Sequence, residues 1–362
     1  MKNLAIISTR AITHNRFLNS ITYELSKQFN VVLCCRDSKS IIHNSNLSKY
    51  DLNFPKSILG FLNFKNNFLL FRDIFEIFNR VEILYLHTPL AAHVVRFLSI
   101  FSRNKLKIIY HIHGLRYIPG SWNVKYIFFR FIEYVLSFKT DKFIAINELD
   151  FMSLKKYIKP KNIFLIKGLG VDMVDNNNYA YQSKKKNKFV VGVIAAFKKE
   201  KGYLELIKIA EECQKYPSIV FRIFGYGNYE WISKLIKKRQ INNIQIKGFS
   251  RNIEDEINNF DLFLLPSHRE GLNVSIQECL SLGIPVITTK IRGCKDLIIE
   301  GYNGFLYENF NIDEAIYKIL KVYKMNDLEY SLLKQNSFNY AKKYLSRNLL
   351  NNQILDIFRD YV

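Results

Sequence analysis

Apolar positions along the chain follow two alternating rhythms. Short runs of aliphatic and β-branched residues are separated by longer stretches in which apolar residues return every three or four positions. In the first half the short runs are "LAIIS", "VVLCC", "EILYLH", "KIIYHIH", "KFIAIN" and "IFLIK"; in the second they are "FVVGVI", "VFRIFG", "NIQIKG", "LFLLP", "PVITT" and "GFLY". Most read as buried on both faces, and the spacers are long enough for a helix, which is the pattern of parallel α/β sheets. Between the two series lies "GLGVDMVDNNNYAYQSKKKNK", residues 168–188, rich in Gly, Asn, Ser and Lys and poor in aliphatic residues, and this reads as a linker. The final "NNQILDIFRDYV" predicts a helix with no strand after it. The expectation is an α/β chain of two Rossmann-like domains facing each other across a cleft, 1–172 and 173–345, with a terminal helix over 346–362. The length of 362 residues agrees, since single cores rarely grow past about 250 to 300 residues.

Composition narrows the class. A hydrophobic share of 48% suits a globular chain. The opening "MKNLAIISTRAI" is broken by Arg10 and reads as a buried strand rather than a secretory signal. No uncharged apolar run approaches the roughly 18 residues that a membrane span needs. The five cysteines form no CxxC pair, and most lie in or beside apolar runs, as free thiols do in a reducing cytosol.

Charge changes the picture more. The formal net charge is +21, of which residues 1–175 carry +13. Such a surface suits nucleic acid, anionic lipid or a phosphorylated substrate, and charge alone does not choose among them.

The candidate chemistry lies mainly in the second half. After the first strand, "STRAITHN" lacks the glycines of a dinucleotide fingerprint, and a lone "GYG" at 225–227 does not replace them. By contrast "SHREGLNVSIQE", residues 267–278, follows the buried run "FDLFLLPS" and so lies at the carboxyl end of a strand, where open α/β sheets bind ligands. Gly271 permits close approach of the backbone, and the amides of residues 271–275 open a helix, a geometry that favours a diphosphate. A second reading stands beside this one. Ser275 with Glu278 fits a capping box, and Glu270 fits a solvated loop acid. Two histidines, His111 and His113, share one face of a strand. No carboxylate or cysteine stands at ligand spacing near them, so no zinc site is expected there.

The stretch 248–305, "GFSRNIEDEINNFDLFLLPSHREGLNVSIQECLSLGIPVITTKIRGCKDLIIEGYNGFLY", closely resembles the nucleotide-sugar segment of the retaining glycosyltransferases of family four, which have the GT-B fold. The shared marks are the strand ending in "LPS", the "EG" loop, a second Glu eight residues on, "GIPVI", "GC.DLI" and "G.NGFL". Weaker marks extend the resemblance over nearly the whole chain: "YHIHGLRY" at 110–117, "GLGVD" at 168–172, "EKG" at 200–202, and the terminal helix, which in the family packs back on the first domain.

The resemblance implies that Glu270 receives the hydroxyls of the donor sugar. Backbone amides of Gly271, Leu272, Asn273, Val274 and Ser275 then surround that sugar and the diphosphate, and Glu278 takes the two ribose hydroxyls. An ionised carboxylate suits a vicinal diol, because it accepts two charge-assisted hydrogen bonds. Lys201 matches the phosphate-binding lysine. The family's arginine five residues earlier is replaced here by Ala196, which leaves Lys198 or Lys199 as substitutes. His113 is implied to reach the donor sugar near the breaking bond, while His111 reads as a packed strand residue, and His14 and Arg16 of "THNR" read either as lining the acceptor side of the cleft or as a solvated helix start. No D-x-D pair occurs to hold a metal, so no metal and no cofactor is expected: the UDP-sugar is a substrate, and a helix N-terminus and lysine meet the charge of the leaving group.

The acceptor belongs with the basic, aromatic first half. Residues 57–78 and 125–138 mix Phe, Ile and Leu with Lys and Arg, as segments in a membrane interface do, and as core-facing helices also do. With the charge, they point to an enzyme on the inner face of the cytoplasmic membrane. "HNR" and "RGC.DLI" most resemble family members that extend undecaprenyl-diphosphate-linked surface glycans, which implies a HexNAc donor such as UDP-GalNAc or UDP-GlcNAc. Rival readings are a transferase acting on a lipopolysaccharide core or soluble acceptor, and a nucleic-acid binder. No zinc finger, RNP-like strand or aromatic basic helix supports the last, so no nucleic-acid partner is expected.

Overall fold

The computed structural model of the protein describes residues 1–42, 47–55, 60, 64–173 and 187–362. Most of the linker read at 168–188 and part of the 57–78 segment therefore lie outside the described residues. Two compact units are present, Met1–Leu169 together with Arg347–Val362, and Gly170–Ser346.

The first unit holds seven strands: β1 (Asn3–Arg10), β2 (Asn30–Arg36), β3 (Ser48–Asp51), β4 (Ile83–His87), β5 (Lys107–Ile112), β6 (Lys142–Ala145) and β7 (Ile163–Leu165). They form one sheet in the order β3-β2-β1-β4-β5-β6-β7, and each pairing is parallel. Alternation along β1 shows why its sequence is apolar throughout. Ala5 and Ile7 enter one buried cluster with the helices on their side, while Leu4 and Ile6 enter another. That second cluster includes Leu350, Ile354, Ile357 and Phe358 of the terminal helix Arg347–Phe358. The helix is fastened further by Lys142, whose Nζ donates to the Ile357 carbonyl at 2.7 Å and reaches Asp360 at 2.5 Å. The sequence pattern misses β3. "SKYD" is short and mostly exposed at the sheet edge, and it is held by backbone pairing with Val32–Cys35 rather than by an apolar face.

The second unit holds β8 (Phe189–Ile194), β9 (Ile219–Phe224), β10 (Ile244–Gly248), β11 (Leu262–Leu265), β12 (Val286–Thr289) and β13 (Gly304–Tyr307). The order is β10-β9-β8-β11-β12-β13, again parallel. Both sheets therefore reverse their strand order once, between β1 and β4 and between β8 and β11. At such switch points the loops leaving neighbouring strands part to opposite faces and open a crevice at the carboxyl ends.

Candidate active site

In the second unit the switch point brings together two motifs that lie 69 residues apart in the chain. Lys201 follows β8 and Glu270 follows β11. The lysine Nζ donates to Glu270 Oε1 at 2.7 Å, and Ser267 Oγ donates to the same oxygen at 2.8 Å. Both charged side chains are largely covered, with 20% and 10% exposed.

Close backbone packing fixes this arrangement. Gly202 has φ +75°, and a Cβ there would stand 1.8 Å from the Pro266 carbonyl oxygen. Gly293 has φ +80°, and its Cβ would stand 2.0 Å from the Gly271 oxygen. Each glycine is required twice over, by conformation and by space. The loop 266–273 is thus held between the turn after β8 and the turn after β12. From below, Thr288 Oγ1 donates to the Leu265 carbonyl at 2.9 Å and Thr289 Oγ1 to the Ser267 carbonyl at 2.5 Å.

The helix Val274–Ser281 corrects one expectation. Its cap is Asn273, whose side chain accepts from the Ile276 amide at 2.9 Å. Ser275 lies inside the first turn, so there is no Ser275–Glu278 capping box. Asn273 stands at the strand-to-helix transition in extended geometry, where a short polar side chain curls back on the first turn. Glu278 remains one turn inside the helix and partly exposed. Gly271 and Leu272 precede the cap, and Val274 and Ser275 open the helix. Ala196 is buried, while Lys198 and Lys199 are exposed, with Lys198 at 4.0 Å from Glu200.

In the first unit the switch point gathers histidines. His87 closes β4 and is paired in register with His111 of β5, and His113 follows two residues later. His87 Nδ1 lies 2.9 Å from His113 Nε2, and Tyr85 Oη lies 2.8 Å from His111 Nδ1. The His111 and His113 rings stack at 4.8 Å. Burial, helped by the neighbouring histidines, holds the His87 and His111 rings well below the usual imidazole range, and burial lowers His113 to about 4. At neutral pH these rings are uncharged and act as hydrogen-bond partners rather than acids. His14 is buried in a single π-helical turn, His14–Leu18, that follows β1, and its charge would also oppose protonation of His87. Arg16 of the same turn points to solvent.

Thr88, next after His87, has φ +64°, an unusual strain for a β-branched residue. Its Oγ1 accepts from the Thr9 amide at 3.2 Å and lies 3.0 Å from Thr9 Oγ1, which ties the ends of β1 and β4 together. His87 escaped the sequence reading. It lies 24 residues from His111, and only the parallel register places them side by side.

Two parallel-sheet units with polar groups at their switch points define the class, the GT-B fold. The whole chain aligns with the Anabaena protein HepE, solved in complex with UDP and glucose, at a TM-score of 0.79 and 18% identity, covering 99% of this chain and 100% of that one. Residues 175–342 match the family described as Glycosyl transferases group 1. It is 26% identical over 307 residues to the capsular polysaccharide biosynthesis glycosyltransferase CapM of Staphylococcus aureus, covering 76% of this chain and 77% of that protein. It is 25% identical over 283 residues to the UDP-Gal:alpha-D-GlcNAc-diphosphoundecaprenol alpha-1,3-galactosyltransferase of Escherichia coli, covering 70% and 69%. A shorter match, 32% identical over 139 residues, covers 38% of this chain and 20% of the poly(glycerol-phosphate) alpha-glucosyltransferase of Bacillus subtilis.

Proposed function

We propose that the protein is a retaining glycosyltransferase that moves a sugar, a HexNAc, from a UDP-sugar to an undecaprenyl-diphosphate-linked glycan during surface polysaccharide synthesis. The observation that carries this reading is the Lys201–Glu270 contact at the β8/β11 switch point, beside the N-terminus of the Val274–Ser281 helix. It combines a cation for a diphosphate, a carboxylate for sugar hydroxyls and a helix start in one place. The nature of the acceptor is argued from the names of the capsular and diphosphoundecaprenol-directed relatives.

In this reading the donor diphosphate takes up Lys201 and the amides at the helix start, Glu278 receives the ribose hydroxyls, and Glu270 turns to the sugar. His113, uncharged at neutral pH, is assigned a hydrogen bond to the donor sugar. No carboxylate is assigned as a nucleophile for double displacement, so the acceptor attacks on the face the diphosphate leaves, and a departing phosphate oxygen takes the acceptor proton. Lysine and helix dipole stabilise the leaving charge in place of a metal.

The membrane side of the proposal rests on the helix Val124–Ser137. It buries Phe129, Glu133 and Leu136 but turns Phe128, Phe131 and Tyr134 outward, with Trp122 and Phe138 exposed at its two ends. Lys125 and Arg130 lie on the same open surface. The helix Phe64–Phe78 instead sends Leu70, Ile74, Ile77 and Phe78 into the core. Among the described residues no helix is long and apolar enough to cross a membrane.

The test is a panel of nucleotide sugars with synthetic prenyl-diphosphate sugars in excess EDTA, reading UDP release, product mass and anomeric configuration. Stoichiometric UDP release with a retained linkage is expected. An inverted product, or activity restored only by Mg²⁺ or Mn²⁺, would refute the mechanism, and turnover on soluble acceptors alone would refute the acceptor class.

A further inference from the structure

The three histidines at the β4/β5 edge resemble a ligand set more than a packed cluster. One ring nitrogen from each of His87, His111 and His113 lies within 4.8 Å of the others. We propose that these residues form a binding site for one divalent transition-metal ion of the zinc type, and that the ion, by capturing His113, inhibits the enzyme; the inhibitory part rests on the proposed glycosyl transfer.

Binding needs the His111 and His113 rings, stacked with planes 13° apart, to turn until both present a nitrogen to one ion. His87 Nδ1 and His113 Nε2 stand 2.9 Å apart and share one proton. Two nitrogens on one tetrahedral ion, each bound at about 2.0 to 2.1 Å, stand about 3.4 Å apart. A metal ion in place of the shared proton, which moves to the far nitrogen of the ring that carried it, asks this pair for a shift of about half an ångström and the widest spacing of the set for up to about 1.4 Å. His111 is already oriented. Its Nδ1 faces the Tyr85 hydroxyl at 2.8 Å, and its buried Nε2 has no hydrogen-bond partner. With the phenol oxygen accepting the Nδ1 proton, the lone pair is left on Nε2, and an outer contact of this kind sets the tautomer of a metal-binding histidine. With the ion on Nδ1, the buried His87 Nε2 carries the ring's proton. Leaving the His111 Nε2 unsatisfied is costly, and a metal ion would account for it.

The chemistry of the set selects the ion. Three neutral imidazoles without a carboxylate suit zinc, cobalt, nickel or copper and not magnesium or calcium. Three protein ligands leave a fourth position open, and His113 is the partly exposed member of the set. The Thr88–Thr9 contacts hold the end of β4, which fixes His87 before any ion arrives. His87 is remote from His111 along the chain and joins it only through the sheet.

The experiment uses the untagged full chain stripped with chelator, titrated with ZnCl₂ by calorimetry and with CoCl₂ by visible absorption. No donor or acceptor is present, so the result is independent of the transferase reading. One equivalent of zinc, a tetrahedral cobalt spectrum and no heat with MgCl₂ are expected. Tyr85→Phe, which keeps the ring in place, should weaken binding by about 10- to 100-fold, and His87→Asn should abolish it. If His87→Asn does not fold, the wild-type cobalt spectrum and Tyr85→Phe decide. Absence of uptake by the wild type, or zinc binding unchanged in Tyr85→Phe, would overturn the site. Zinc bound at one equivalent without slowing transfer would overturn the inhibition.

Discussion

At the scale of single residues, the ammonium of Lys201 is already engaged by a carboxylate before any substrate is considered. A diphosphate brings about two negative charges, and a helix N-terminus offers only about half a positive charge in compensation. In the proposed site, with Ala196 where the glycosyltransferases it resembles have arginine and with Lys198 and Lys199 exposed, Lys201 would carry most of the remaining balance. Lys201→Ala should lower kcat/KM by on the order of a hundredfold, mostly in kcat, since charge on the leaving phosphate grows in the transition state. Steady-state kinetics with near-normal turnover would show that the phosphates are held elsewhere. Glu278 gives a cleaner test than the sequence allowed. Asn273 caps the helix, so Glu278→Gln should leave that cap intact while weakening UDP binding by about tenfold or more, the value of a charge-assisted hydrogen bond. Calorimetry with UDP measures the second effect and thermal unfolding the first. Unchanged UDP affinity would remove Glu278 from the site.

At the scale of elements, the Val124–Ser137 helix is anchored by a buried charge network invisible in the sequence pattern. Glu133 accepts from Arg96 at 2.9 Å and faces His93 at 2.7 Å, all three buried, and Arg96 lies over the Tyr110 ring. Burial alone would raise the Glu133 carboxyl. The charges of Arg96 and His93 and their hydrogen bonds outweigh it and hold the group at about 2. Because the folded value lies below the ordinary 4.5, the ionised network contributes stability above about pH 4.5 and loses it as pH falls toward 2. Glu133→Gln should destabilise by about 3 to 5 kcal/mol near neutral pH, since it strands Arg96. The gap from wild type should narrow in acid, as urea unfolding at pH 7 and pH 3 would show. A pH-independent gap would mean that the loss is one of packing. The sequence placed a helix here from its apolar spacing, but a glutamate in an aromatic run does not say which of its faces is inside.

At the scale of the whole molecule, the net charge of +21 and the outward aromatic residues of that helix belong to one argument. Full-length protein should pellet with anionic vesicles and be partly released by high salt. Phe128→Ser combined with Phe131→Ser should reduce binding without unfolding, because these side chains are 55% and 63% exposed. Equal pelleting with neutral vesicles would remove the electrostatic half of this idea. The intact chain is needed, since the core of the first unit is completed by Arg347–Val362.

The apolar rhythm by itself determined the parallel α/β class and nearly every strand, because a strand buried on both faces must be apolar at every position. The order of "LPS", "EG", "GIPVI" and "NGFL" carried the resemblance to glycosyltransferases, and the family match falls on the same stretch. Tertiary structure alone decided which residues meet. The edge strand β3, the Asn273 cap, the Lys201–Glu270 contact and the joining of His87 to His111 and His113 all depend on strand order and register. Parallel strands that are neighbours in space are separated by whole helices in sequence. Local spacing therefore reads each motif but not the partner opposite it.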